Sequence, residues 1–326
     1  MIIKKYILTI LTFCAVSFNV SAQKDCFSHL DVAATVGTTG IGIDLATPIS
    51  EYVQLRAGFS YMPRIELSSS FRVQVGDSLD KKWDNNGNRL ETKFDKLSGY
   101  LKAFSGFEVD DEVVMSCKPT YYNLKLLVDV FPFPNKRWHI TGGFFLGPST
   151  VATAVNTTEE MTSLTAVSNW NRMYDKAENL EPFYDNFHLP PAIEDKILEY
   201  GRMSFHAGNY THDGVDSKGN AYKKGDKYLM EPNDNAMVKA KITVKRFKPY
   251  LGIGYGGAIS KDKLTQLSFD AGVMFWGGTP SLLTHDGTDL THDVEGVTGK
   301  VGRYVDATKL LKVFPLLEIR LSRRIF

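Results

Sequence analysis

The triplet Thr-His-Asp occurs three times in this chain, at 211–213, 284–286 and 291–293. An imidazole beside a carboxylate can hold a divalent metal or share a proton as an acid/base pair, which is the chemistry these residues invite. A second acidic pair, Asp110-Asp111, lies upstream. Asp110, Asp111, His212 and Asp213 are therefore the candidate catalytic residues of a hydrolase, which would need His212 or His285 within hydrogen-bond reach of the upstream carboxylates. All of them sit in polar stretches of the kind surface loops contain, so solvated loop residues are the competing reading. Asp84-Asn85-Asn86-Gly87 opens like a calcium loop, but Asn88 is followed by no matching acidic position, and no metal site is expected. Gly252, Gly254 and Gly256 have the spacing of a dinucleotide loop, yet no helix follows them, and no cofactor is expected.

The elements that must carry these loops are strands. In 53–62, Val53, Leu55, Ala57, Phe59 and Tyr61 share one face, while Gln54, Arg56, Gly58 and Ser60 share the other, the period of a half-buried strand. The same sorting recurs at 121–131, 238–245, 250–256 and 267–276, with shorter or less regular cases at 30–36, 41–47, 137–147 and 281–284 and a last one at 313–326. Two polar insertions, 67–118 and 156–235, interrupt the series; helical spacing within them appears at 91–104 and 191–200.

Alternation alone does not say which face meets water. Charges of both signs decide it, because Asp31, Asp44, Arg56, Lys125, Asp129, Lys239, Lys241, Asp270, Glu318 and Arg320 fall on the minority faces. With glycines on those same faces, this pattern suits a narrow barrel whose inside is charged and whose outside is oily. Aromatic residues gather at strand ends (Tyr52, Tyr61, Tyr121, Phe131, Phe133, Trp138, Phe247, Tyr250, Phe275, Trp276), as girdles at a membrane interface would. Short connections at 49–52, 132–136 and 246–248 alternate with the long insertions, the asymmetry of short periplasmic turns and longer extracellular loops.

The N-terminus agrees with export. Lys4 and Lys5 precede an apolar run at 7–20, and Val20-Ser21-Ala22 offers a cleavage site, so 1–22 is expected to be a signal peptide and the rest of the chain, 23–326, a single barrel domain. Cys14 leaves with it, and it lacks the preceding small residues that lipidation needs. Cys26 and Cys117 remain, on opposite membrane sides in this topology and therefore unbridged. A net charge of +1 gives no footprint for nucleic acid. The expected fold is all-β, a closed antiparallel transmembrane β-barrel, with ten strands preferred and eight the alternative if 238–256 is one strand and 281–284 none.

The final strand ends in "LEIRLSRRIF", with Leu317, Ile319, Leu321 and the terminal Phe326 resembling the signal by which the barrel-assembly machinery recognises its clients. With Gly40-Ile41-Gly42-Ile43-Asp44, Asp129-Val130-Phe131-Pro132-Phe133, Pro249-Tyr250-Leu251-Gly252-Ile253-Gly254 and Phe269-Asp270-Ala271-Gly272-Val273, the strands resemble a family of uncharacterised Gram-negative outer-membrane β-barrel proteins, small porin-like barrels of the OmpA and OmpW kind. The resemblance implies location and fold and brings no activity. Asp110-Asp111 with His212-Asp213 also resembles, in composition only, the acidic and His-Asp pairs of the outer-membrane proteases. A lipid-modifying deacylase would want a lipid-facing histidine, whereas His139 shares the inward register of Arg137 and Thr141.

The expected function is a non-enzymatic barrel that binds at the cell surface or stabilises the membrane. A membrane-embedded hydrolase and a soluble secreted barrel with an apolar ligand are the alternatives. Expected partners are outer-membrane lipid, the barrel-assembly machinery and an extracellular ligand, with the chain a monomer.

Overall fold

The computed structural model describes residues 26–76, 80–106 and 108–325; the expected signal peptide with Cys14, and Phe326, lie outside the described residues. The strands run β1 (Asp31–Gly37), β2 (Gly40–Ser50), β3 (Val53–Tyr61), β4 (Leu67–Arg72), β5 (Gln74–Val75), β6 (Glu112–Pro119), β7 (Tyr122–Val130), β8 (Trp138–Leu146), β9 (Thr150–Asn156) and β10 (Met203–Tyr210). They continue as β11 (Gly214–Val215), β12 (Ala221–Tyr222), β13 (Lys227–Met230), β14 (Lys239–Thr243), β15 (Phe247–Ala258), β16 (Thr265–Phe275), β17 (Ser281–Thr284), β18 (Val294–Glu295) and β19 (Val313–Arg324). Eight of them close into an antiparallel barrel in the order β1-β19-β16-β15-β8-β7-β3-β2.

The barrel is inside out relative to a water-soluble domain. Along β7, Tyr122, Leu124, Leu126, Val128 and Val130 are exposed, while Asn123, Lys125, Leu127 and Asp129 are buried. Leu124 keeps 60% of its surface and Ile43 63%, against 0% for Asp44 and 1% for Arg56. Only a surrounding apolar phase makes that arrangement favourable, so this is the architecture of a membrane-spanning barrel. Glycines on the inner face make room for large neighbours: a Cβ on Gly252 or Gly272 would lie 2.2 or 2.5 Å from the Tyr250 hydroxyl.

The barrel has eight strands, not the preferred ten, and the reason lies in its upper wall. Leu146 pairs with Phe247, and Thr150 pairs with Thr243, so one ladder runs from β8–β15 into β9–β14 without a reversal. The turn expected at 246–248 is therefore absent: Phe247 and Lys248 already pair with Leu146 and Phe145 in β15, and 244–246 is a short break in one continuing strand pair. The same holds across the wall: β3, β7, β8, β15 and β16 each lead into a strand of the five-stranded sheet β4-β6-β9-β14-β17, in the same neighbour order. Segments 238–245 and 281–284 belong to that raised sheet and not to the barrel. The connections at the opposite end are 51–52, 131–137 and 259–264, and β1 meets β2 in a tight turn at Thr38-Thr39 on the raised side.

A cap builds on the raised sheet. Its helices are Lys93–Ser105, Met161–Glu178, Pro191–Tyr200 and Gly299–Leu310; the second and fourth carry no strong signal in the sequence, and the fourth belongs to a third excursion, 276–312. Lys93–Ser105 starts where Thr92 and Asp95 each satisfy the other's backbone N–H, and stops at Gly106 with φ 77°. Asn171 grips both backbone groups of Met203, accepting from its N–H at 2.8 Å and donating to its C=O at 2.7 Å, which clamps the long helix to β10. Leu164, Val167, Ile197, Met203, Val113, Val294 and Val305 are buried in the resulting core.

Candidate functional site: a filled lumen beneath a folded cap

The inward register brings together charged side chains from five strands and the His139 imidazole from a sixth. Arg56 lies at the centre, with Nη2 3.0 Å from Asp129 and 3.5 Å from Asp270, and Nη1 3.9 Å from both Asp44 and Glu318. Lys125 Nζ sits 2.8 Å from Asp44 and 2.8 Å from Glu318. Arg320 reaches Asp129 at 3.5 Å and Asp270 at 3.7 Å, and donates through Nε to Ser268 at 3.0 Å. His139 Nε2 is 2.7 Å from Asp270, and Thr141 donates to Asp129 at 2.7 Å. Each ion is out of bulk water, and the network gives each an oppositely charged neighbour within 4 Å.

Of the expected lumen charges, Asp44, Arg56, Lys125, Asp129, Asp270, Glu318 and Arg320 sit in this network. Lys239 and Lys241 do not; they are exposed on β14, because that strand belongs to the cap sheet. His139 and Thr141 were legible as inward residues but not as members.

Toward the cap lies an apolar layer of Tyr121, Phe145, Tyr250, Met274, Trp276 and Leu316, which Leu127 joins from between Lys125 and Asp129 on β7. Trp276 stacks on Phe314 with centroids 5.1 Å apart, and Phe145 meets Tyr250 edge-on at 5.5 Å. Tyr121, Tyr250 and Trp276, placed in the aromatic girdle by their position at strand ends, instead point inward; they are 5%, 4% and 6% exposed. Lys248 lies against this layer, 5.5 Å from the centroid of the Tyr121 ring. At the opposite mouth a vestibule of about 1000 Å³ opens among His29, Glu51, Lys136, Arg137 and Lys261.

The hydrolase candidates each have separate partners. Arg72 and Lys82 bind the Asp111 carboxylate. Burial pushes that carboxyl up, but the hydrogen bonds and charge of Lys82 and Arg72 outweigh it and hold it below the usual range. Asp110 donates its backbone N–H to Ser163 and accepts from the N–H of Glu112. His212 bonds to Thr211, and Asp213 accepts from the Lys224 N–H at 2.7 Å.

The second and third triplets form local turns, while Asp213 of the first ties its loop to Lys224. Asp286 accepts from the Thr288 N–H and from the Tyr228 hydroxyl at 2.7 Å, and Asp293 accepts from the Asp289 N–H at 3.0 Å. Two triplets meet through backbone, where the Thr211 N–H donates to the Asp293 carbonyl at 2.9 Å. Burial, reinforced by the Asp286 charge, pushes the Tyr228 phenol well above its ordinary value, so it stays a neutral donor. The Asp84 carboxylate accepts from Asn86 and Asn88 within its own loop. Among the described residues, no group of three or more His, Cys, Asp or Glu side chains converges as a metal site would. Cys26 and Cys117 are free thiols.

The carboxylates of the triplets and those of the upstream acidic pair are thus held by different donors, Lys224, Thr288 and Asp289 for the former and Arg72, Lys82 and Glu112 for the latter. What the fold and lumen define is a membrane-type β-barrel, filled rather than hollow, carrying a folded cap. No protein-family model matches the chain, and no curated protein matches it. Among solved structures it is similar to Acinetobacter baumannii CarO (14% identity, covering 92% of this chain and 99% of that one, TM-score 0.38) and CarO2 (12%, 91% and 98%, 0.36). It is also similar to a major outer membrane protein from Thermus thermophilus (14%, 91% and 98%, 0.27). The likeness is broad in length and loose in superposition, so function has to come from the residues of this chain.

Proposed function

We propose that this chain is an outer-membrane protein of a Gram-negative bacterium, with the short turns and vestibule in the periplasm and the cap outside, and that it acts as a non-enzymatic surface-binding module anchored by its barrel. In this reading the segment 1–22 exports the chain, and the barrel-assembly machinery recognises the last strand through Leu317, Ile319, Leu321 and Phe326. The closed barrel needs no second copy to satisfy its edges. The supporting observation is the filling of the lumen: a barrel plugged by paired charges and an aromatic layer is suited to holding something up and not to conducting. The cap supplies exposed binding surface, including a turn closed by the Tyr184–Phe187 bridge, on which Tyr184 is 73% exposed.

The test is electrical. Reconstituted in planar bilayers, the protein is expected to insert and to give no steady conductance steps, while its band on a detergent gel shifts on boiling. Regular steps of ion current would refute the anchoring role and make the lumen the working site.

A further inference from the structure

The seam between cap and barrel holds a cavity of about 520 Å³ that none of the roles above uses. Thr279, His292, Asp306, Lys309, Leu310 and Lys312 line it. Its position is set by the helix Gly299–Leu310, which ends just before β19 starts at Val313. Val313 pairs with Phe275, the last residue of β16, so this point is the upper rim of the oily wall. Lys312 is thus one residue above the apolar band, and Lys309 is one helical turn behind it.

Leu310 is 83% exposed between these lysines, an arrangement that costs free energy in water and none against lipid. Among the described residues, neither Lys309 nor Lys312 forms an ion pair. His292 Nδ1 is 2.8 Å from Asp289 Oδ2, which leaves Nε2 for another partner. Against these groups stands one carboxylate in the wall, Asp306. Two unpaired ammonium groups, an imidazole and a threonine hydroxyl form a set of donors for a tetrahedral anion, and the exposed leucine beside them faces an acyl chain.

We infer that this cavity seats the phosphate of an outer-leaflet lipid, with Lys309 and Lys312 on the phosphate oxygens and Leu310 against the hydrocarbon below it. The inference rests on the outer-membrane orientation proposed above. Such a site would fix the cap's height relative to the membrane and would tie β19, the strand that closes the barrel on β1, to a lipid.

The experiment uses the full chain purified in detergent, with native mass spectrometry counting bound glycolipid. The probes are diphosphorylated lipid A, the same glycolipid stripped of phosphate, and inorganic phosphate as competitor. The wild type is expected to retain diphosphorylated lipid, and Lys309→Ala with Lys312→Ala together to weaken it by at least about tenfold. Asp306→Asn should tighten it, a gain that damage to folding cannot mimic. Equal retention of the phosphate-free glycolipid, or unchanged binding by the double variant, would overturn the proposal. Displacement of the lipid by millimolar inorganic phosphate would overturn the lipid assignment in favour of a free-anion site. A heat-dependent gel shift run on each variant keeps these outcomes apart from failure of the barrel reading, because loss of that shift in the wild type would sink the membrane placement itself.

Discussion

Replacing Arg56 with methionine removes the charge at the centre of the lumen while keeping most of the side chain's length. Asp44, Asp129, Asp270 and Glu318 would then face only Lys125, Arg320 and His139. The Arg56 side chain is 1% exposed, and the carboxylates at 3.0 and 3.5 Å from it are 0% and 2% exposed, so water does not replace the lost partner. Breaking a buried pair by removing one member costs about 3–5 kcal/mol, which is roughly two to three and a half powers of ten in the unfolding equilibrium. The assay is guanidinium unfolding of the reconstituted protein followed by tryptophan fluorescence, with Asp129→Asn added to complete a double-mutant cycle. A coupling of about 1–3 kcal/mol is expected, as for groups in one network. An unchanged unfolding free energy together with zero coupling would mean that water reaches and screens these charges and that the lumen is not filled.

Gly254→Val is expected to destabilise the barrel by about 1–3 kcal/mol, because its Cβ would lie 2.2 Å from His139 Nε2 and 2.8 Å from Asp270; Gly257→Ala, with no atom within 4 Å, serves as the neutral control in the same unfolding assay. Asp111 has its folded-state pKa depressed, so its pairing with Arg72 and Lys82 stabilises the cap above the ordinary aspartate range and is lost as pH falls through the depressed value. The protection factors of β4 and β6 amides, taken against the intrinsic exchange rate at each pH, should therefore fall on acidification in the wild type and show a weaker pH dependence in Asp111→Asn; equal slopes would count against the pairing. Tyr222→Ala removes a ring stacked on Tyr210 at 3.6 Å, and proteolysis of 211–226 should speed up in line with about 0.5–1.5 kcal/mol of lost stacking beyond the buried area.

The loops resisted sequence reasoning for a physical reason visible in single residues. Asp213, Asp286 and Asp293 look like chemistry when adjacent to histidine, yet each is occupied by a backbone N–H, and nothing in a triplet states where its carboxylate will find a donor. Val238 to Lys245 has the alternation of a barrel strand because the cap sheet has the same period of two. Only its pairing with β9, which carries on the β8–β15 ladder, places it above the membrane rim.

By itself the sequence determined the inside and outside of the barrel. Alternation is a local property, and a strand that sets Leu124, Leu126 and Val128 against Lys125 and Asp129 can satisfy both faces only with oil on one side and partners on the other. The tertiary structure alone decided the strand count, the inward turn of Tyr121, Tyr250 and Trp276, and the meeting of Arg56 with four carboxylates from β2, β7, β16 and β19. Those features depend on register between strands far apart in the chain. Register is set by the closure of the whole barrel and by its continuation into the cap, and no single strand carries that information.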